Sequence, residues 1–277
     1  MSFLFIPSIK KQDQVNTIRI ILALIYLWSG IQKINYSFFF TTYPWLIEPL
    51  TELLSENLVS AFNTTHLIAP SLEISAALGL CFRNTSRISA FILILMHIFI
   101  LGMIGPFGHN LNIVVWPWNI TFSVLLYLLF LKGKPFSVLS CLKKRVDSYL
   151  VIIILLFGLM PALSFISAWP MFFSSALYSG NKVTSKLFFP EQFKEELPQF
   201  IRENIEETDN SIRLVFFTLE ELEVPIYPSK AFHLNAFKTL CNKYPEYSIE
   251  LILLTYSKPD LITGSKSEET FFCDELK

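Results

Sequence analysis

The chain has 277 residues, of which 52% are hydrophobic and only 16% are charged, whereas about a quarter of the residues of a soluble domain are charged. The mean hydropathy of +0.48 is too high for an ordinary soluble enzyme, and the scarcity of charge excludes a disordered chain or a coiled coil. Four cysteines exclude a disulfide-dense scaffold. The formal net charge of −1 gives no reason to expect a nucleic acid partner.

Five apolar runs are each long enough to predict a membrane-spanning helix, which needs about 20 mostly apolar residues. Apart from Arg19 at the opening of the first run, their charged residues are Lys33 and Glu73. The alternative, a set of helices buried inside a large soluble protein, is disfavoured because so few charges interrupt runs of this length. We therefore predict an all-α membrane protein, in which residues 1–169 form a four-helix transmembrane bundle plus a fifth span in the lipid bilayer. The predicted spans cover residues 17–36, 66–82, 88–105, 111–131 and 149–169.

The basic residues of the connections predict an orientation in the membrane. Lys and Arg precede the first span, are absent from residues 37–65, return between 83 and 87, are absent from 106–110 and return between 132 and 145. This alternation is the positive-inside pattern. We therefore predict a cytoplasmic N-terminus and a C-terminal segment on the outer side.

Residues 170–277 differ from the bundle, since they carry 17 acidic and 11 basic side chains. Their strand-like and helix-like runs predict a small α+β domain outside the membrane. The predicted strands cover residues 214–219 and 249–256, and the predicted helices cover 229–244 and 191–207, the latter interrupted at Pro198. Between the first two spans, apolar residues at helical spacing within 45–62 predict an amphipathic helix that lies on the outer surface or packs on the bundle.

Cysteines and histidines supply few chemical signals. If the C-terminal domain faces an oxidising compartment, Cys241 and Cys273 can form a disulfide, which would add about 3 kcal/mol by the loop-entropy model. Two unrelated thiols are the alternative, since the sequence gives no geometry. His109 and His233 are expected to be solvated, and the spacing of the histidines and cysteines predicts no metal site.

Four polar side chains fall at a similar predicted depth in four different spans. From the helical rise, Lys33 and Glu73 lie about 5 and 10 Å from the outer ends of their spans, and His97 and Asn119 lie about 12 Å from theirs. Ionisable side chains inside a membrane normally face the bundle interior or a cavity and pair with one another. We therefore predict that these four residues line a polar pocket that opens toward the outside.

The residue types indicate what this pocket can do. Lys33 and Glu73 can form an ion pair, His97 can exchange a proton near neutral pH, and the Asn119 amide both donates and accepts hydrogen bonds. These residues are the candidates for ligand binding or catalysis. The competing interpretation is structural, with Lys33 reaching the interface while Glu73 and His97 satisfy each other within the bundle.

The segment of residues 105–119 is rich in glycine, proline and tryptophan. Asn112 and Trp116 share a helix face with Asn119, and the flat Trp116 ring would wall the pocket beside a planar molecule such as a quinone. Pro117 predicts a kink or a helix start at this level. An aromatic belt at the membrane interface is the alternative explanation of the tryptophans, although it does not explain the asparagine spacing.

Six short runs in the bundle and the tail resemble segments of one membrane-protein family. They are RIILALIYLWSGIQK at 19–33, APSLEISAALGL at 69–80, MHIFIL at 96–101, VWPWN at 115–119, ALYSGN at 176–181 and ELEVPIYP at 221–228. Together they resemble the DoxX/MauE-like family of redox-associated bacterial membrane proteins, in the subgroup with a VWPWN motif and a C-terminal extracytoplasmic tail. Some relatives carry cysteines between spans three and four, where residues 105–112 contain none.

This resemblance implies a four-helix bundle in the bacterial inner membrane, with a cytoplasmic N-terminus and a periplasmic tail. It also implies a link to quinone-dependent oxidation or to the maturation of disulfide-bearing periplasmic enzymes, and a periplasmic or membrane redox protein as partner. By this resemblance, the candidate site residues are Lys33, Glu73, His97 and Asn119, and Trp116 forms a wall of the pocket. A non-enzymatic scaffold or assembly factor, whose acidic tail docks a partner protein, is the alternative function. The sequence does not decide whether a reaction is catalysed.

Overall fold

In the computed structural model the described residues are 11–55, 59, 64–110, 115–134, 137–138, 148–180, 182–222, 226–256 and 264–276. The chain divides into two compact units, Met1–Gly180 and Asn181–Lys277. The boundary therefore comes later than the predicted one at residue 169. The reason is local, because the Asn35 amide donates to the Ser179 carbonyl at 2.7 Å and ties residues 170–180 to the first unit.

Every secondary-structure element described in the first unit is a helix. Its α-helices are α1 (Lys11–Gln32), α2 (Tyr43–Thr51), α3 (Ile68–Leu80), α4 (Ser86–Ile104), α5 (Val115–Leu126) and α6 (Ser148–Ile154). Wider π-helical turns precede α2 and extend α5 and α6, at Phe38–Thr42, Tyr127–Leu131 and Leu155–Leu159. A 3-10 turn, Thr64–Leu67, leads into α3, and a 3-10 stretch, Met160–Ile166, completes the last run.

Three of these helical stretches are long and apolar enough to cross a membrane: Gln12–Gln32, Ser86–Ile104 and Tyr149–Ile166. They correspond to the first, third and fifth predicted spans and support a membrane-embedded protein. The fourth predicted span is a shorter apolar helix, Val115–Leu131, and its residues 111–114 lie outside the described part. Helix α3 has 13 residues and is about 20 Å long, less than the hydrocarbon core of about 30 Å.

The exposed face of α4 has the character of a lipid-facing surface. Ile88, Phe91, Leu95 and Ile98 are each about half exposed or more, and their spacing places them along one side of the helix. Its opposite side buries Ala90, Leu93 and His97. A soluble protein rarely exposes so continuous an apolar stripe, whereas hydrocarbon chains would cover it at no cost.

Small residues bring α1, α3 and α4 close together. A Cβ at Gly30 of α1 would stand 3.1 Å from the Pro70 carbonyl oxygen, and one at Gly79 of α3 would stand 2.1 Å from the Ser89 hydroxyl. The backbones can therefore approach more closely than larger residues would allow. One turn beyond Gly30, the chain carries Lys33 at the same α1–α3 contact.

Polar contacts fix α1 to the helical stretch that ends at Ile166. The Trp28 indole donates to the Gly158 carbonyl at 3.0 Å, and the Gln32 amide donates to the Ser164 hydroxyl at 2.6 Å. At the other end of α1, the buried Arg19 guanidinium donates to the Leu129 and Lys134 carbonyls. Arg19 therefore satisfies carbonyls that the end of the α5 extension leaves without helical partners.

The second unit is a four-stranded antiparallel sheet in the order β2-β1-β3-β4, packed with helices. Its core contains Leu187, Phe193, Ile201, Phe237 and Leu251, all essentially inaccessible to solvent. The strands are β1 (Thr184–Phe188), β2 (Ser211–Arg213), β3 (Glu250–Tyr256) and β4 (Lys266–Phe272). The helices are α7 (Gln199–Arg202), α8 (Val215–Leu222) and α9 (Lys230–Lys243), with 3-10 turns at Glu191–Glu196 and Cys273–Leu276.

Several predicted elements of this unit are present and one is wrong. Strand β3 and helix α9 lie where predicted, and the predicted helix over 191–207 appears as two short helices separated at Pro198. The strand predicted over 214–219 is wrong, since a strand ends at Arg213 and α8 follows. The aromatic and β-branched residues there favour a strand locally, but the helix buries Phe217 while Glu220 remains at the surface.

The amphipathic helix predicted between the first two spans is present in part, and the disulfide that the sequence left open is formed. Of the amphipathic helix predicted over 45–62, α2 covers residues up to Thr51, whereas 56–58 and 60–63 lie outside the described residues. Cys241, near the end of α9, and Cys273, just after β4, are joined by a disulfide with their Cα atoms 5.4 Å apart. The bridge holds the end of the chain against α9, and it is one of the two alternatives that the sequence left open.

Candidate functional site

A charged pair connects α1 and α3. The Lys33 ammonium, just beyond the end of α1, donates to the Glu73 carboxylate of α3 at 2.7 Å. Glu73 is 3% exposed, and the Lys33 side chain is 14% exposed. Lys33 also donates to the Ser29 hydroxyl at 2.6 Å. The structural interpretation in which Lys33 only reaches toward the interface therefore does not describe this side chain, which is held by two partners.

This pairing reduces the cost of burying each charge. An isolated charge in an apolar interior is expensive, and a close partner of opposite sign offsets part of the cost of removing it from water. The pair is neutral as a whole. Because Glu73 uses one hydrogen bond to Lys33 and a carboxylate accepts about four, the carboxylate keeps capacity for a further donor.

A second group of side chains forms a hydrogen-bonded chain across α1, α4 and α5. The Tyr26 hydroxyl lies 2.6 Å from His97 Nε2, and His97 Nδ1 lies 2.8 Å from Asn119 Oδ1. The Asn119 amide nitrogen donates to the Val115 carbonyl at 3.0 Å. Tyr26, His97 and Asn119 are all buried. This series of hydrogen bonds thus begins on α1 and ends on α5, two helices that contribute residues to the same apolar core.

The two groups are electrostatically linked. Glu73 lies within electrostatic range of both Tyr26 and His97, and Lys33 lies within range of His97. The structural interpretation in which Glu73 and His97 satisfy each other is replaced by a different arrangement, since both ring nitrogens of His97 are engaged by Tyr26 and Asn119. We call Tyr26, Lys33, Glu73, His97 and Asn119 the polar cluster.

Sequence reasoning did not include Tyr26 among the site residues. Its only signal was its position seven residues before Lys33 on one face of α1, because a tyrosine in an apolar run carries no formal charge. Phe122 was also missed. Its ring centroid lies 6.0 Å from that of Tyr26 and 5.8 Å from that of His97, so Phe122 is an aromatic wall of the polar cluster.

The residues predicted around Asn119 have different outcomes. Trp116 is half-buried at the start of α5, and its role as a wall remains a prediction, as does that of Asn112, which lies outside the described residues. Pro117 is the third described residue of α5, and the kink or helix start predicted at this level depends on residues 111–114, which lie outside the described part. Trp118 is exposed and stacks on Phe122 at 5.7 Å.

A groove on the described part of this unit lies beside the polar cluster, not in it. It has a volume of about 490 Å³ and runs between α3 and α4. Its lining residues are Leu67, Ile68, Ser71, Leu72, Ser75, Ala76, Ser89 and Ile92. None belongs to the polar cluster, whose side chains instead contact one another.

The two histidines expected to be solvated are more buried than predicted. His109 stacks on Trp45 with ring centroids 4.4 Å apart, and its Nε2 lies 2.6 Å from the Trp45 carbonyl oxygen. His233 is 2% exposed, and its Nδ1 lies 2.7 Å from the Ser185 hydroxyl. Burial lowers the pKa of His233 to about 4, so this imidazole is neutral at physiological pH. The prediction for His233 was wrong because the sheet, which covers it, is formed by residues distant in sequence.

Comparisons with protein-family profiles, with curated proteins and with solved structures returned no match. The DoxX/MauE-like resemblance therefore remains an expectation drawn from short runs of sequence. Within the described ranges, no three His, Cys, Asp or Glu side chains are grouped so that they could hold a metal ion. The polar cluster is the candidate site on geometric grounds alone.

Proposed function

We propose that the protein is a redox-associated integral membrane protein of the DoxX/MauE-like type, with five spans, whose polar cluster binds a quinone or another small planar ligand. The observation that carries this proposal is the concentration of Lys33, Glu73 and His97, three ionisable side chains, at one point between apolar helices. Such groups are costly within a membrane and are a mark of functional sites there. The positive-inside pattern supports a cytoplasmic N-terminus and a periplasmic tail in the bacterial inner membrane.

The residues present fit a ligand with carbonyl or hydroxyl oxygens. The Lys33 ammonium is a donor that suits a carbonyl oxygen, and the spare lone pairs of Glu73 suit a ligand hydroxyl. Phe122, and by prediction Trp116, offer ring faces to a planar molecule. A bound quinone would supply two-electron redox chemistry, while these side chains would bind and orient it. The exposed part of Lys33 marks the side from which a ligand reaches the cluster.

Quinone content after purification tests this proposal. Wild type, Glu73→Gln and the control Glu48→Gln are purified in parallel, and quinone is quantified in their lipid extracts. Glu48 is an exposed glutamate of α2, so the control makes the same chemical change away from the cluster. We expect bound quinone in wild type and Glu48→Gln and a loss of about tenfold in Glu73→Gln, which corresponds to one lost hydrogen bond to a charged group. Equal amounts in all three, or none in wild type, would refute the proposal.

A non-enzymatic scaffold is the second candidate, favoured by the second unit. Residues 181–277 fold around a core of their own, carry the Cys241–Cys273 disulfide and hold 17 acidic against 11 basic side chains. In this function the bundle is an anchor, and the acidic domain docks a periplasmic or membrane redox protein. Truncation after Gly180 should abolish recovery of that partner by affinity purification and leave the bundle in the membrane. Unchanged recovery would refute the scaffold function.

A further inference from the structure

The hydrogen bonds around Asn119 determine where the protons of His97 lie. The Asn119 amide atom that faces the Val115 carbonyl is 3.0 Å from its oxygen. A carbonyl oxygen only accepts, so this atom is the NH₂ group, and Asn119 Oδ1 must face His97 Nδ1 at 2.8 Å. Because Oδ1 also only accepts, Nδ1 of His97 carries a proton.

The donor and acceptor of the hydrogen bond between His97 and Tyr26 then follow. A neutral imidazole has one N–H group, so Nε2 of His97 is an acceptor. The Tyr26 hydroxyl, 2.6 Å away, must therefore donate its proton to Nε2. In this state the Tyr26 proton is engaged by His97 Nε2 and is not available to another acceptor.

We propose that Tyr26 and His97 form a protonation-controlled hydrogen-bond switch within the site. When Nε2 takes up a proton, both ring nitrogens donate, and the Tyr26 oxygen accepts a hydrogen bond from Nε2. The phenol keeps its own proton, whose O–H then turns to another acceptor. One proton is bound to one nitrogen lone pair, and no electron is transferred. Tyr26 is thus a positioning residue that offers a donor to the site only when His97 is charged.

The released hydroxyl needs another acceptor. Within the proposal this acceptor is the Glu73 carboxylate, which uses one hydrogen bond to Lys33, or the carbonyl oxygen of a ligand. This last use rests on the proposed function, whereas the switch itself does not.

The charged groups around His97 set its response to protons. Glu73 of α3 and Lys33, just beyond the end of α1, are the charged groups within electrostatic range of His97. Helix α5 contributes the neutral Asn119. Helix α2 also packs on α4, and its ionisable residues Tyr43 and Glu48 lie outside the hydrogen-bonded chain. Because Lys33 and Glu73 compensate each other, the switch is controlled mainly by His97 and Tyr26.

Nitrogen NMR of the full-length protein in quinone-free nanodiscs tests the switch. Histidine is labelled with ¹⁵N, and the His97 signals are assigned by their loss in His97→Gln. At pH 8 we expect a protonated Nδ1 and an unprotonated Nε2. Asn119→Leu removes the acceptor and should lose this tautomer, while Asn119→Asp, which still accepts from Nδ1, should keep it. A protonated Nε2 in the wild type, or the same tautomer in wild type and Asn119→Leu, would overturn the proposal.

The reversal of Tyr26 is tested separately by infrared difference spectroscopy on acidification. The band of the Tyr26 C–O group, assigned by its loss in Tyr26→Phe, should shift when His97 gains its proton and should not shift in His97→Gln. An unshifted band in the wild type while ¹⁵N NMR shows His97 protonated would overturn the reversal. Because both experiments omit quinone, they can succeed when quinone binding fails, and the reverse also holds.

Discussion

His233 predicts that the second unit loses stability as the pH falls from 6.5 toward 4. The pKa of its imidazole is lowered to about 4 in the folded chain because burial disfavours the charged form, against about 6.5 in the unfolded chain. The unfolded state therefore binds the proton first. The contribution of His233 to the stability of the folded state is complete above pH 6.5 and decreases between pH 6.5 and 4. Below pH 4 this group causes no further loss.

The size of the effect follows from the difference of the two pKa values. At 1.36 kcal/mol per unit, the whole shift corresponds to about 3 kcal/mol, of which about 2 kcal/mol is lost by pH 5. His233 is 2% exposed, so solvent screening reduces this figure little. Small domains are stabilised by about 5–15 kcal/mol in total, and the loss should therefore be measurable without complete unfolding. No other histidine lies beyond residue 180 in the sequence.

Hydrogen exchange of the full-length protein in nanodiscs measures this loss locally. Protection of the α9 and β1 amides is compared between pH 7 and pH 5, after correction for the intrinsic exchange rate. We expect about 2 kcal/mol less protection at pH 5 in the wild type. In His233→Gln the pH dependence should disappear, while in the control His109→Gln, in the other unit, it should remain. Equal protection at both pH values in the wild type, or an equal loss in His233→Gln, would refute the reasoning.

Four further predictions concern stability, measured by thermal unfolding in detergent unless stated. Arg19→Met leaves the Leu129 and Lys134 carbonyls without this donor and should lower the free energy of unfolding by about 2 kcal/mol. Arg19→Lys should recover part of this loss. Equal stability of the wild type and both variants would contradict the role of the guanidinium. Gly180→Ala should lower the free energy of unfolding by more than about 1 kcal/mol, because Gly180 has φ of +68° and a Cβ there would stand 2.6 Å from the Phe38 nitrogen. Unchanged stability of this variant would contradict the reasoning. Cys273→Ser should make the second unit more sensitive to limited proteolysis, because a bridge across 32 residues contributes about 3 to 4 kcal/mol, and unchanged digestion would show that it contributes little. Lys33→Met and Glu73→Gln should each lower the free energy of unfolding by about 3 kcal/mol or more. The double variant should lose less than the sum of the two single losses. A loss equal to that sum would contradict a direct ion pair.

The long helices were predictable because the hydrophobic runs that form them are local. Their ends were less so. The described part of helix α1 starts at Lys11, ahead of residue 17, because polar residues continue the helix before the apolar run. Pro161 lies where the last stretch is 3-10 helical up to Ile166, and the predicted span continued to residue 169. Hydropathy does not register such changes of helical geometry.

The polar cluster was partly accessible from sequence for a different reason. A charge in an apolar run is conspicuous, so Lys33 and Glu73 could be singled out and expected to meet, as the structure places them. Tyr26 and Phe122 carry no such signal, and their place in the cluster depends on how α1, α4 and α5 pack. His233 was misjudged for the same reason, because its burial is created by the sheet and not by its neighbours in sequence.

Titration of a water-soluble short-chain quinone into nanodiscs tests the ligand site most directly. All five tryptophans precede residue 180, so quenching of their fluorescence reports binding to the helical unit. We expect saturable quenching in the wild type and in Glu48→Gln, and a Kd raised about tenfold or more in Glu73→Gln, the equivalent of about 1.4 kcal/mol. Non-saturable quenching in the wild type, or the same Kd in all three proteins, would contradict a ligand site at the polar cluster.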